Sequence, residues 1–151
     1  MEARLGRSGA ALGRAEELER MDATPETREY LQDLAIVVRA EVAREGDGAG
    51  RALEILEKAP LWTRHPLDER ISPLVGHYYP VFLRGELLRE MGRLEEALRW
   101  YRPFEMTVQV PPATLALHRR RQILRQLGDE QRAGKLADRV RERWARAAPA
   151  L

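Results

Sequence analysis

The chain has 151 residues, and 33% of them are charged, yet its formal net charge is only +2 because cations and anions are interspersed. A chain of this length can bury a core as one domain. The absence of Cys excludes disulfides, thiolate metal sites and cysteine nucleophiles. The mixed charges do not indicate strong nucleic-acid binding, and no stretch has the continuous apolar character of a signal peptide or a membrane span. We therefore expect a soluble cytoplasmic protein.

Apolar residues recur every three or four positions and no long run alternates with period two, so the sequence predicts an all-α fold. The first helix is expected at about 6–21. The second begins at Thr24-Pro25-Glu26, which combine a capping side chain, a proline suited to the first helical position and an acid that complements the helix dipole. It ends in EGDGAG (45–50). Five further helices are expected at about 50–58, 78–91, 94–106, 112–127 and 130–147.

A glycine followed five residues later by an alanine recurs along the chain. The pairs are Gly92 and Ala97, Gly6 and Ala11, and Gly128 and Ala133, with a weaker echo at Asp47 and Ala52. The glycine is expected to end one helix in a short turn, and the small alanine to let the paired helices approach closely. A companion small residue lies twelve positions earlier, at Gly85 for Ala97 and at Ala40 for Ala52, whereas Arg121 breaks this pattern before Ala133.

The stretch GELLREMGRLEEALRWY (85–101) has the small residue, turn glycine, alanine and aromatic of the tetratricopeptide repeat (TPR) in order, and it resembles that family. RQILRQLGDEQRAGKLA (121–137) and RAEVAREGDGAGRALEILEKAP (39–60) are similar, while RLGRSGAALGRAEEL (4–18) resembles only the second helix of a repeat. The resemblance implies one domain over 1–151, a TPR-like α-solenoid of about seven antiparallel helices. Its parts are a half repeat at about 5–21, repeats at about 25–60, 78–107 and 112–147, and a connection at 61–77.

The whole run also looks like the carboxy-terminal helical repeats of large bacterial signalling proteins, such as serine/threonine kinases and transcriptional activators. That likeness implies that the chain is a fragment of a larger bacterial signalling protein.

The sequence contains no convincing catalytic, metal or cofactor motif. His65 precedes Asp68 and Glu69 at helical spacing, but Pro66 argues against a regular helix, and a closed metal site needs more ligands. His77 is expected to be a loop residue. Neither a nucleophile elbow nor a phosphate-binding glycine loop is present. We therefore predict a protein that is not an enzyme and binds no cofactor or metal.

The densest basic run is HRRRQILRQ (118–126). Its three consecutive arginines point in different directions on a helix, which favours a solvated helix face. The sequence therefore does not indicate nucleic-acid binding, and RNA binding is kept only as a minor alternative.

In the TPR family the first helix of each pair lines the concave side of the stack, which usually binds an extended peptide or a partner helix. The repeat register assigns twelve residues to that side: Leu34, Val37, Glu41 and Arg44; Tyr79, Phe82, Glu86 and Arg89; Leu115, His118, Gln122 and Arg125. Each set progresses from apolar residues to arginine, which predicts an apolar strip beside a row of arginines. Such a groove would suit a peptide with hydrophobic anchors and carboxylates. The alternative is that Leu34, Val37 and Leu115 are core and the arginines only solubilise the surface.

The inner face of the first helix lacks the preceding helix of its own repeat. Its residues are Leu5, Ala10, Ala11, Leu12 and Leu18, and exposed apolar surface of this kind recruits a partner. A second copy of the chain or neighbouring repeats would cover it. The sequence therefore predicts a protein-binding scaffold or adaptor, with a self-assembling homo-oligomer as the alternative.

Overall fold

The computed structural model describes residues 6–59, 78–105 and 112–147, and in the last range it describes side chains as far as residue 142. These ranges contain helices and no strand, which confirms the all-α prediction. The elements are α1 (Ser8–Arg20), α2 (Pro25–Gly46), α3 (Ala49–Leu56), α4 (Tyr78–Glu90), α5 (Leu94–Tyr101), a 3-10 turn η1 (Arg102–Glu105), α6 (Pro112–Gln126) and α7 (Glu130–Ala147). The predicted connection at 61–77, with His65 and His77, and the predicted contact residue Leu5 lie outside the described residues.

The start of α2 and the end of α5 follow from local sequence chemistry. The Thr24 hydroxyl accepts a hydrogen bond from the Thr27 N–H at 3.4 Å, and Pro25 opens the helix, as predicted. Helix α5 is shorter than expected because Pro103 has no N–H with which to continue the α-helical bonding. The chain therefore changes from an α-helix to the 3-10 turn η1 after Tyr101.

Two of the predicted turn glycines end their helices in the left-handed conformation. Gly92 follows α4 with φ of 74°, and the Arg93 N–H donates to the Leu88 carbonyl at 2.9 Å. Gly128 follows α6 with φ of 78°. This geometry lets the next helix start after one or two residues, and glycine adopts it without a steric penalty.

Each helix packs mainly against its neighbours in the chain. Helix α1 lies on α2, and the pairs α2–α3, α4–α5 and α6–α7 pack along their lengths. Helix α3 also meets α4, α5 meets α6, and α4 reaches α6. The main core runs from α2 to α6, and a smaller apolar cluster lies between α6 and α7.

The alanines of the recurring spacing all lie inside this packing. Ala52 and Ala97 are fully buried, and Ala133 is 1% exposed. Of the companion positions, Ala40 and Gly85 are buried, whereas Arg121 is half-buried. The third helix pair therefore tolerates an arginine where the other two place a small residue.

Gly85 makes room for an aromatic ring. The sequence pattern pairs it with Ala97, but a Cβ built on Gly85 would lie 2.6 Å from Cε1 and 2.8 Å from Cζ of Tyr101. That ring is fully buried and packs against Phe82 at a centroid separation of 5.8 Å. The close approach of α4 and α5 is thus a contact between glycine backbone and tyrosine ring.

Charged side chains recur along every described helix, including the long helices α2 and α7. Within the ranges that the structure describes, no helix combines the length and the apolar character needed to cross a membrane.

Candidate functional site

Charged residues that the repeat register placed at equivalent positions of α2 and α4 meet in space. Glu41 and Arg44 are three residues apart on α2 and share a face, as Glu86 and Arg89 do on α4. The Arg44 guanidinium pairs with Glu90 of α4, where its Nε donates at 3.1 Å, and it lies 3.5 Å from a Glu41 oxygen and 3.9 Å from a Glu86 oxygen. The two helices are therefore joined by ion pairs as well as by apolar packing.

Glu86 is the centre of these contacts. Its side chain is 5% exposed and accepts hydrogen bonds from the Tyr101 hydroxyl at 2.5 Å, Arg89 Nη2 at 3.2 Å and Arg119 Nε at 3.0 Å. These donors come from α5, α4 and α6, respectively. One carboxylate therefore links three helices, and through Arg44 it also approaches α2.

Further contacts extend the arrangement at both ends. On α2, Glu41 accepts from the Tyr79 hydroxyl of α4. On α6, Arg119 also donates to the Gln122 side-chain oxygen at 3.2 Å. We call the charged and tyrosine side chains of this arrangement, without Gln122, the inner network. It comprises Glu41, Arg44, Tyr79, Glu86, Arg89, Glu90, Tyr101 and Arg119.

The inner network has three carboxylates and three guanidinium groups, and this balance is what burial requires. An ionised carboxylate removed from water is strongly destabilising unless it is paired and hydrogen-bonded. Burial alone would raise the pKa of Glu86. The hydrogen bonds from Tyr101 and Arg89, with the charges of Arg89 and Arg119, outweigh burial and hold that pKa below its ordinary value.

The partners of Glu86 shift in the complementary directions. Burial, followed by the hydrogen bond to Glu86, raises the pKa of Tyr101, so its hydroxyl stays protonated and donates. Burial opposes the charge of Arg44, but its contacts with Glu90, Glu41 and Glu86 raise its pKa overall. A carboxylate with a lowered pKa is a weak proton acceptor at neutral pH. The inner network is thus suited to holding helices together and poorly suited to acid–base catalysis.

The twelve residues assigned to a binding surface fall into three groups by exposure. Those that are buried are Val37, Glu41, Phe82 and Glu86. Those that are half-buried are Leu34, Arg44, Tyr79, Arg89 and His118, and those that are exposed are Leu115, Gln122 and Arg125. Val37 and Phe82 belong to the main core, as the alternative interpretation held for Val37. What remains open to a ligand lies chiefly on α6.

The accessible residues of α6 form one face of that helix. Leu115, His118, Gln122 and Arg125 are spaced by three or four residues and so lie along one side. Leu115 is 43% exposed although it is a large apolar residue, and the Arg125 side chain is 55% exposed. Arg125 contacts Glu130 at 3.6 Å across water-exposed surface, where an ion pair is weak. We call these four residues the α6 face.

Sequence reasoning did not find three members of the inner network. Tyr101 was recognised only as the aromatic of the repeat, and Arg119 only as part of a basic run. Glu90 follows Glu86 by one helical turn, so its place on the same face was a usable signal. The approach of Arg119 to Glu86, 33 residues earlier in the chain, depends on how α6 packs on α4 and has no local signature.

No group of His, Asp and Glu in the described ranges could hold a metal ion, and the candidate at His65 lies outside them. Comparisons with family models, with curated proteins and with solved structures found no match for this chain.

Proposed function

We propose that this chain is a TPR-like α-solenoid that acts as a non-catalytic cytoplasmic scaffold and binds a peptide or helix segment of another protein. The consecutive helix hairpins, the buried alanines at 52, 97 and 133 and the left-handed glycines at 92 and 128 support the solenoid. The resemblance to bacterial signalling proteins supports a role as one part of a larger signalling chain.

The observation that carries the binding proposal is the α6 face. An exposed leucine and an exposed arginine stand on one helical face, separated by about 15 Å of helix. This arrangement suits a segment that inserts an apolar side chain beside Leu115 and places a carboxylate on the Arg125 guanidinium. On α2 and α4 the equivalent arginines already hold internal carboxylates, so α6 is where an external carboxylate meets least competition.

A selection from random short displayed peptides, followed by fluorescence anisotropy with the selected peptides, tests the proposal. We expect peptides that combine Asp or Glu with an apolar residue. Arg125→Glu should weaken their binding about tenfold or more, because a charge-assisted hydrogen bond is replaced by repulsion. Arg51→Glu is the matched control, since Arg51 is 53% exposed, close to the 55% of Arg125, and also pairs with a nearby Glu, here on its own helix at 2.8 Å. Selection of no peptides, or equal loss in both variants, would contradict a binding role for the α6 face.

A homo-oligomer is the second candidate, and α1 is the observation that favours it. Ala11 and Ala15 are buried, but Leu12 and Leu18 are only half-buried, Ala10 is exposed and Met21 is 53% exposed. A second copy of the chain could cover this apolar surface. Light scattering over a range of concentrations should then show an oligomer that Leu18→Glu dissociates. A monomer at every concentration would rule out this candidate.

A further inference from the structure

An arginine-rich surface lies on the side of α6 opposite the α6 face. Arg120 follows His118 by two residues and therefore points about 200° around the helix from it. There it pairs with Glu105 of η1. The other carboxylate oxygen of Glu105 lies 3.4 Å from Nη1 of Arg139, on α7. One carboxylate thus brings together arginines from two helices.

Two more arginines adjoin this contact. Arg102 belongs to the same 3-10 turn as Glu105, and Arg132 precedes Arg139 by seven residues, two helical turns along one face of α7. Burial lowers the pKa of Arg120, and the charges of Arg102, Arg132 and Arg139 lower it further because these arginines lie nearby. We call Arg102, Arg120, Arg132 and Arg139 the arginine cluster.

The arginine cluster carries more positive charge than its acidic neighbours balance. Among the described residues its carboxylate contacts are Glu105, shared by two arginines, and Asp129, which pairs with Arg132 at 2.5 Å. Four guanidinium groups against two carboxylates leave two positive charges.

The exposure of the arginine cluster fits binding from solvent. The Arg132 and Arg139 side chains are 69% and 56% exposed, whereas Arg120 is 15% exposed and held in place. A fixed, partly buried guanidinium beside freely accessible ones can bind an oxyanion through several N–H groups at once. A phosphate monoester at neutral pH carries close to two negative charges and three acceptor oxygens, which matches the surplus.

We infer that the arginine cluster is a binding site for a phosphate dianion, supplied by a phosphorylated residue of a partner protein or by free phosphate. The site is separate from the α6 face and does not depend on the function proposed for that face. It requires recognition of charge on η1, α6 and α7 only, with no covalent step.

Fluorescence anisotropy at fixed ionic strength tests this inference on the full chain. The probes are a labelled phosphoserine peptide with neutral flanking residues, its unphosphorylated form, and inorganic phosphate as a competitor. We expect the phosphorylated peptide to bind about tenfold more tightly, and the double variant Arg132→Gln/Arg139→Gln to remove that difference. Circular dichroism checks that the variant remains helical.

The matched control is Arg51→Gln/Arg141→Gln, which removes the same charge from two exposed arginines that pair within their own helices. It should leave the preference for the phosphorylated peptide intact. Inorganic phosphate that competes as strongly as the peptide would identify free phosphate as the source. Equal binding of both peptides, or equal losses in both double variants, would overturn the inference. Single-stranded RNA that outcompetes the phosphopeptide would also overturn it, in favour of a nucleic-acid surface.

Discussion

The inner network and the arginine cluster use the same residue types in opposite ways. In the inner network Glu86 is 5% exposed and every guanidinium contacts at least one carboxylate. In the arginine cluster, which lies largely at the surface, guanidinium groups outnumber their described acidic partners. Both regions include residues of α6, so the contrast arises on two sides of a single helix.

The comparison shows that burial determines how strictly charges must be balanced. A buried ion without a partner destabilises the fold by several kcal/mol, whereas water and salt screen exposed charges at little expense. Ion pairing in the inner network is therefore needed for stability. The surplus positive charge of the arginine cluster destabilises the fold little and can bind an anion. Three experiments test this distinction.

The largest expected effect comes from removing one carboxylate charge in each region. Glu86→Gln leaves Arg89 and Arg119 without their central anion in a buried place, and it should lower the free energy of unfolding by about 3 kcal/mol or more. Glu105→Gln removes a carboxylate that is 27% exposed but leaves the less exposed Arg120 with one anion fewer, and it should cost about 2 kcal/mol. Urea denaturation of both variants measures the difference.

Glutamine matches the shape of glutamate, so a loss at Glu86 would report its charge more than its packing. Equal losses in the two variants would mean that burial does not distinguish the regions. A loss at Glu105 larger than that at Glu86 would place the more important ion pairs in the arginine cluster.

A somewhat smaller effect is expected from adding a methyl group at Gly85, beside the ring of Tyr101. Gly85→Ala would place a Cβ within 2.6–2.9 Å of the ring of Tyr101, whose hydroxyl is held by Glu86. The clash should outweigh the helix propensity of alanine and destabilise the protein by about 1–3 kcal/mol. Thermal denaturation followed by circular dichroism measures the change.

Two other helical glycines provide the control for this substitution. A Cβ added at Gly13 of α1 or at Gly134 of α7 would meet no heavy atom within 4 Å. Alanine there should be neutral or stabilising by up to about 1 kcal/mol. Stabilisation by Gly85→Ala as well would show that the Tyr101 ring can move, and that the glycine is not needed for the close approach of α4 and α5.

The sequence predicted the helices well because their signals are local. Apolar spacing, the Thr24-Pro25 start of α2 and the glycines at 92 and 128 all act within a few residues, and the observed boundaries mostly fall within two residues of those expected. Helix α5 was the exception, because the interruption at Pro103 was not recognised. The recurring alanines also indicated buried positions, whereas the close approach of the Tyr101 ring to Gly85 was not predicted.

The candidate site was less predictable because register alone does not give exposure. The repeat register placed Glu41 and Arg44 at positions equivalent to Glu86 and Arg89, and the structure brings these four residues into one group of ion pairs. Register could not show that they neutralise one another, since that depends on the distance between α2 and α4. The arginine cluster was harder still, because its members come from three elements and only their packing brings them together.

The smallest expected effect is on the pH dependence of stability. Since the pKa of Glu86 is lower in the folded protein than its ordinary value, the unfolded chain takes up a proton first as pH falls. The stabilisation by ionised Glu86 is therefore complete above its ordinary pKa and is lost as pH falls through the lowered one. Urea denaturation from neutral pH to about pH 3 should give a flatter profile for Glu86→Gln than for the original chain.

Asp129, beside the arginine cluster, is the matched control for this pH experiment. Hydrogen bonds from the Arg132 backbone and side chain lower its pKa as well, but its side chain is 27% exposed, against 5% for Glu86. Asparagine caps a helix about as well as aspartate, so Asp129→Asn should change the profile less than Glu86→Gln does. Added salt should reduce the contribution of Asp129 more than that of Glu86, because screening acts mainly on exposed charges. An equal salt response at both positions would show that solvent reaches the inner network. Burial would then not explain why its carboxylates and guanidinium groups are balanced.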